Sequence, residues 1–267
     1  LVVDDDGLQC PTAGYTSIQT AISAASDGDI ISVCPGTYTE NLSITNISLT
    51  VQSTGGAAVT TVNGNLSNVV TIDLDGPDQA VLFQGFTVTN GPYGVYVDDC
   101  YDGSSVILRG LDVNYNSSYG IYVQDVYYRS SVVIDPCAIH DNTSDGIYFS
   151  SVYDSSSVSV LDSTITDNGS YGVYVDDVYN DSAVTVEGNT ITGNSSEGLY
   201  IEDVYYRSSA DVIDNTVIDN GSDGVYLYYL YSGCSSVIEG NTISGNGDDG
   251  LYIDDLYYRS TVDVVDN

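Results

Sequence analysis

Glycine followed by an apolar residue, tyrosine and a second apolar residue occurs at Gly94, Gly120, Gly146, Gly172, Gly198, Gly224 and Gly250. Consecutive occurrences are 26 residues apart, without one insertion or deletion. A strict period of about 20 to 50 residues means that each unit buries its apolar side only by stacking on its neighbours, which leaves solenoids and propellers. The choice between them lies inside the unit.

With the glycine as position 1, apolar side chains recur at positions 2, 4, 7, 13, 15 and 20, as in Val173, Val175, Val178, Val184, Val186 and Ile191. Alternation predicts three short strands, and the Gly, Ser, Asn and Asp clusters between them predict turns. Three strands are too few for a four-stranded propeller blade. One coil of a parallel β-helix fits, so identical positions stack about 4.8 Å apart and each repeat position becomes a column on the solid.

Several columns carry chemistry. Position 18 holds Asn189, Asn215, Asn241 and Asn267, and position 23 holds Asn116, Asn142, Asn168, Asn194, Asn220 and Asn246. Asparagine amides both donate and accept, so both columns read as structural ladders. Position 3 holds Tyr96, Tyr122, Tyr148, Tyr174, Tyr200, Tyr226 and Tyr252, and position 8 holds Tyr101, Tyr127, Tyr153, Tyr179, Tyr205, Tyr231 and Tyr257. Lying between inward positions 2 and 4, the position 3 tyrosines point outward. Stacking along the axis is one sufficient reason for such rows, and an aromatic strip for sugars or for another rod is the functional one.

Position 6 is aspartate in Asp99, Asp125, Asp177, Asp203 and Asp255. Like charges at this spacing repel, and either solvent or a bridging hard cation such as calcium keeps them in place. In "DLDGPD", Asp73, Asp75 and Asp78 alternate around a turn glycine as in a calcium loop, without the distal bidentate glutamate.

The "NTITGN" and "GLYI" repeats, with the opening "YTSIQTAISAASDGDIISVCPGTYTENLSI" from Tyr15 to Ile44, resemble the right-handed parallel β-helix superfamily of pectate-lyase-like proteins. The resemblance implies an all-β, single-stranded right-handed solenoid capped by an N-terminal helix, here with Ile18, Ala21, Ile22 and Ala25 on one apolar face. One continuous domain is expected: residues 1–44 as cap and first coil, 45–93 as irregular coils, and 94–267 as seven regular coils, the last incomplete. About ten coils would make a rod of roughly 50 Å. Ending in mid-coil, the array is expected to continue or to be covered by another molecule.

The superfamily mixes lyases, hydrolases, adhesins and surface proteins, so the site must decide the chemistry. Its polygalacturonate hydrolases combine aspartates with Gly-His-Gly and an arginine-lysine element; here His140 lies in "AIHDN", read as a solvated turn, and there is no lysine. Its lyases need calcium-binding carboxylates and a base. Arg129, Arg207 and Arg259 all occupy position 10, and Arg109 lies elsewhere. Arginines beside acids are therefore a product of the repeat, and seven coils without insertions offer no long catalytic loop.

Thirty-eight acidic residues against four basic ones give a net charge of −34. This excludes nucleic acid and anionic membrane surfaces as partners, and favours a saline or calcium-containing medium outside the cell. No stretch approaches the roughly 20 apolar residues of a membrane span, and Leu1 suggests a processed chain. Cys10 and Cys34 flank the N-terminal segment as a disulfide staple would, which implies an oxidising, extracellular setting. Cys100 replaces an inward valine; Cys137 falls at position 18; Cys234 replaces a turn serine and is the candidate for an intermolecular bond.

Nine Asn-x-Ser/Thr sequons occur, five of them in the position 23 column. Asn180, on an exposed bend in "VYNDS", is the candidate glycosylation acceptor. The sequence thus points to an extracellular rod at a surface or in a filament, using its tyrosine columns and acidic strips for self-association or cations. A carbohydrate-binding or polysaccharide-cleaving β-helix and an adhesin domain of a longer chain are the alternatives.

Overall fold

A computed structural model describes residues 1–267. The chain winds into a parallel β-solenoid with three sheets, of 11, 9 and 9 strands, running its length. In the regular part each coil contributes one strand to each sheet, as in Val173–Val178, Ala183–Glu187 and Thr190–Thr192. Every strand pairs in parallel with its counterpart one coil away; Tyr148 lies opposite Tyr174 and Tyr174 opposite Tyr200. The seven glycine-headed units are thus coils in register, and no helix is long and apolar enough to cross a membrane.

Before Gly94 the coils vary in length. Asp29 pairs with Leu49, Leu49 with Val81 and Val70 with Val95, whereas Ser105 pairs with Ser131 and Ile121 with Ile147 at the constant period. The N-terminal helix, Ile18–Ala24, buries Ile18, Ala21 and Ile22 against the first coils, while Ala25 is half-buried beyond its end. Ser17 caps the helix through Thr20 N–H, and the Glu40 carboxylate accepts from Ser17 Oγ and from the Ile18 and Gln19 N–H groups. An anion thus meets donors that the first turn leaves unpaired. Cys10 and Cys34 form a disulfide that fastens the N-terminal segment to the cap.

The apolar positions read from one repeat all point inward: Val173, Val175, Val178, Val184, Val186 and Ile191 are completely buried. Position 1 must be glycine because the coils approach too closely for a side chain. A Cβ on Gly146 would lie 2.7 Å from the Gly172 carbonyl oxygen.

Polar ladders hold the corners. In the position 23 column, Asn142, Asn168, Asn194 and Asn220 each donate Nδ2–H to the Oδ1 of the next asparagine at 3.0 Å. Asn189 and Asn215 do the same at position 18, where Asn241 donates to Asn267 at 2.7 Å. A third ladder, which the sequence reading did not single out, runs along position 11: the backbone N–H groups of Ser130, Ser156 and Ser182 donate to the hydroxyl one coil on. These bonds satisfy backbone and side-chain groups that the corners remove from water.

Two expectations are corrected. Cys234 is not a surface thiol: it stands in the serine ladder, is 1% exposed, and its Sγ–H faces the Val204 and Tyr231 carbonyls. The turn that carries it faces inward, so it cannot reach another molecule without unwinding. Cys100 and Cys137 are buried as well, the latter extending the position 18 column through Ser163. His140 is not a solvated turn residue but ends the strand Ala138–His140, where Asp141 and Asp112 hold its two ring nitrogens at 2.8 and 3.0 Å. Burial lowers its pKa, but the two carboxylates outweigh this and leave it raised.

Candidate functional site

One sheet and its border present both complete tyrosine columns and the aspartates of position 6. Its strands run from Val95–Cys100 to Leu251–Tyr257. In each, positions 2, 4 and 7 are inward, and the three-residue step from 4 to 7 breaks strict alternation. Two successive residues, positions 5 and 6, therefore both face outward; the register passes from Val97 opposite Val123 to Asp99 opposite Asp125. The outer face reads tyrosine, a pair of acidic, amide or serine residues, then tyrosine in every coil but that of Gly224, where Tyr228 and Tyr229 form the pair.

At position 3 the rings stack face to face from Tyr122 to Tyr226 and are tilted by 36° and 45° in the two end pairs. Ring centroids are 5.3 Å apart for Tyr96 and Tyr122, 5.1 Å for Tyr122 and Tyr148, 4.9 Å for Tyr148 and Tyr174, and 5.1 Å for Tyr174 and Tyr200. Tyr226 and Tyr252 continue the row at 4.9 and 4.8 Å. At position 8, Tyr101, Tyr127, Tyr153, Tyr179 and Tyr205 stack at 4.5 to 5.1 Å. The second column is complete in sequence but not in stacking: Tyr231 tilts 47° from Tyr205 and packs on Tyr258, while Tyr229 takes the place beside Tyr257. A bulky ring at position 6 of that coil displaces the row.

A third tyrosine row lies before the glycine, where Tyr93 packs on Tyr119 at 5.5 Å and Tyr171 on Tyr200 at 5.5 Å. Its signal was the tyrosine preceding Gly94, Gly120 and Gly172, hidden because Asp145, Glu197, Asp223 and Asp249 occupy the same position in the other coils.

The phenols restrain the acids between them. Tyr148 Oη donates to Asp176 at 3.0 Å, Tyr153 Oη to Asp177 at 2.9 Å, Tyr257 Oη to Asp255 at 3.1 Å, and Tyr174 Oη to Glu202. Ser151 and Tyr229 interrupt the aspartates, leaving two adjacent pairs, Asp99 with Asp125 and Asp177 with Asp203, and a separate Asp255. Burial, then the charges of Asp98, Asp75, Asp125 and Asp73, push the Asp99 carboxyl up to about 6. Burial, then Asp177 and Glu202, push Asp203 up to about 6. Burial also raises Asp125 and Asp177.

The three aspartates of "DLDGPD" do not share one place in the structure. Asp73 and Asp75 join Asp99 of the next coil, with one carboxylate oxygen of each within 4.8 Å of the others. Asp78 is outside this group: it turns away at φ 51° and lies over Gly103. Asp73 Oδ1 is shielded from solvent and has no hydrogen-bond partner, the situation in which a hard cation is most readily accepted. A second acidic triad, Asp4, Asp5 and Asp6, was not foreseen. The arginines stand apart from both: Arg109, Arg129 and Arg207 pair with Asp135, Asp102 and Asp181.

Asn180 is exposed in a left-handed turn, where its Nδ2 donates to Asp154 at 2.9 Å. The five sequon asparagines of position 23, Asn116 to Asn220, are at most 3% exposed.

A family model described as "Right handed beta helix region" matches residues 70–232 and again 151–267. The chain belongs to the right-handed β-helix family. Solved β-helices share its fold: a family 6 alginate lyase superposes with TM-score 0.63 at 14% identity, over 92% of this chain and 38% of that one. The periplasmic alginate epimerase AlgG gives 0.57 at 16%, over 88% and 60%, and a pectate lyase 0.54 at 15%, over 95% and 73%. At such identities the likeness is one of fold. In sequence, a cell surface glycoprotein of Methanothermus fervidus is 38% identical over 87 residues, 32% of this β-helix and 14% of that protein. The chain therefore spans a small part of the relative it matches.

Proposed function

We propose that this β-helix is an extracellular structural element of a cell surface, a rod that associates side by side with further copies through its tyrosine face. The observation that carries this reading is the position 3 ladder, in which rings follow one another at 4.8 to 5.3 Å from Tyr96 to Tyr252 and stack face to face from Tyr122 to Tyr226, on a face from which no insertion rises. A row of half-buried rings at a fixed axial repeat matches the same row on a second rod, and edge-on aromatic contacts add to the apolar area removed from water. The surface glycoprotein relative and the Cys10–Cys34 disulfide support a place outside the cell. Sedimentation velocity and electron microscopy test it. Paired rods or filaments are expected, favoured by salt that screens the net charge of −34, and dispersed by the triple substitution of Tyr148, Tyr174 and Tyr200 to Ser. A monomer under all salt conditions overturns the proposal.

The same face supports a second reading as a polysaccharide contact, since phenols and carboxylates alternate with ring surfaces along it and β-helix neighbours include an alginate lyase and a pectate lyase by name. Product release from alginate or pectate, with and without calcium, would replace the structural role by a catalytic one.

Calcium is the cation proposed for Asp73, Asp75 and Asp99, whose oxygens suit a hard ion and include one without a partner. A rise in melting temperature with calcium, lost in Asp75→Asn, is the expected result. An unchanged melting temperature excludes the site.

A further inference from the structure

The chain's internal repeats are their own control: a residue that departs from its column at a conformational cost is a candidate for function. The turn after the third sheet places one residue per coil in the left-handed region. That column reads Asn90, Tyr115, Asp141, Asp167, Gly193, Asp219 and Gly245, with φ between 50° and 69°. Asparagine, aspartate and glycine tolerate this conformation; a bulky side chain does not. Tyr115 is the exception, and it is 63% exposed. Other tyrosines in left-handed turns, Tyr128, Tyr206 and Tyr258, pack on the position 8 rings. Tyr115 meets only the edge of His140, at 6.4 Å.

A second exception stands beside it. Leu66 is also left-handed, at φ 68°, and is 88% exposed. Leucine gains nothing from either condition. Leu66 and Tyr115 line one cavity of about 440 Å³, together with Asn63, Asn65, Asn90, Pro92 and Ser117. The lining holds no charged side chain, in a chain with 38 acids. Asn90 Nδ2 donates to Asn63 Oδ1 at 3.2 Å, which leaves the Asn63 amide nitrogen and the Asn90 amide oxygen without partners in the chain.

We infer that this cavity is a binding site for a neutral saccharide unit. An exposed ring and an aliphatic side chain offer a flat apolar wall to the C–H face of a sugar. Side-chain amides, which both donate and accept, match adjacent hydroxyls. The absence of charge gives a uronate no partner, and surrounding carboxylates repel it. Two strained, solvated apolar residues at one cavity are the pattern expected where binding, not folding, sets the residue type. The site lies off the tyrosine face and is independent of how that face is used.

The test is an amide-resolved NMR titration of the chain made in a host without N-glycosylation, so that Asn65 is unmodified. The probes are N-acetylglucosamine, methyl mannoside and methyl glucoside at millimolar concentration, with galacturonate as the charged counterpart. At least one neutral sugar is expected to shift resonances confined to residues 63–66, 90–92 and 115–117, with galacturonate bound about tenfold more weakly or worse. Tyr115→Asn, which restores the type of residue found in the other coils, is expected to weaken binding about tenfold while raising the melting temperature by about 2 °C. Leu66→Asn should show the same opposed signs. The inference is overturned by the absence of a shift with all three neutral sugars, by shifts elsewhere, by equal binding of galacturonate, or by unweakened binding in Tyr115→Asn. It is equally overturned if Tyr115→Asn melts lower, since the tyrosine is then held for the fold.

Discussion

Asn194 Oδ1 accepts two hydrogen bonds from one residue of the preceding coil: Asn168 Nδ2–H at 3.0 Å and Asn168 N–H at 3.1 Å. Its own Nδ2 bonds the Ile165 carbonyl at 3.2 Å and Asn220 Oδ1 at 3.0 Å. Asn194→Ala removes all of these at once and strands buried donors and an acceptor. An unmade buried bond costs about 1 to 3 kcal/mol, so a loss of about 3 kcal/mol is expected in urea denaturation. Asn180→Ala, which loses one exposed bond to Asp154, should cost less than about 0.5 kcal/mol. Equal losses would show that the ladder adds nothing beyond a surface contact.

The ladder also decides which sequons are open to modification. An N-linked glycan needs the Asn Nδ2, and in Asn116, Asn142, Asn168, Asn194 and Asn220 that atom is buried and donating. Glycopeptide mapping of natively produced protein should find these five bare. Asn180, exposed on its bend with a single surface bond to Asp154, is the expected acceptor. A glycan on any ladder asparagine would contradict the fold.

The coil was legible in the sequence because its determinants repeat. Apolar residues at positions 2, 4, 7, 13, 15 and 20, and the two asparagine columns, follow from one period applied seven times. The features that escaped are those for which the period is silent. Tyr93, Tyr119 and Tyr171 form a broken column, so no repetition announces them. The cluster of Asp73, Asp75 and Asp99 joins an irregular coil to a regular one, where counting in steps of 26 does not apply. Cys234 looked like a turn residue because serine usually marks a solvated turn, yet here serines line the inside of a corner. His140 looked solvated because its neighbours are polar; the solenoid brings Asp112 to it from the coil before.

The disulfide should act on the cap and not on the rod. It closes a loop of 24 residues between Cys10 and Cys34, a constraint worth about 3 kcal/mol in the chain-entropy account. In a solenoid each coil contacts only its neighbours, so the loss stays local. Hydrogen exchange after reduction, or in a Cys10→Ser, Cys34→Ser variant, should accelerate across Ile18–Ala24 and the first strands. Amides from Gly172 onward should exchange at unchanged rates. Uniform acceleration along the chain would show that the array unfolds as one unit.

The carboxyls of the tyrosine face set the direction of the pH dependence. Asp99 and Asp203 are raised from 3.8 to about 6, so the folded chain holds these protons where the unfolded chain has released them. Their contribution to stability is fully present below about 4 and is lost as pH rises through about 6. His140, also raised in the folded state, acts with the same sign at higher pH: its contribution is present below its unfolded value of 6.5 and fades as pH rises through the raised one. Asp181, lowered by hydrogen bonding to Arg207, works the other way and loses its contribution only as pH falls through its own range below 3.8. The urea midpoint should therefore be higher at about pH 5 than at about pH 8. Salt should narrow the gap by screening the carboxylates at the upper pH, and Asp99→Asn should narrow it further by removing one of the titrating groups. A midpoint that rises from the lower pH to the higher would mean that the acids are stabilised as anions, with a bound cation in place of the proton.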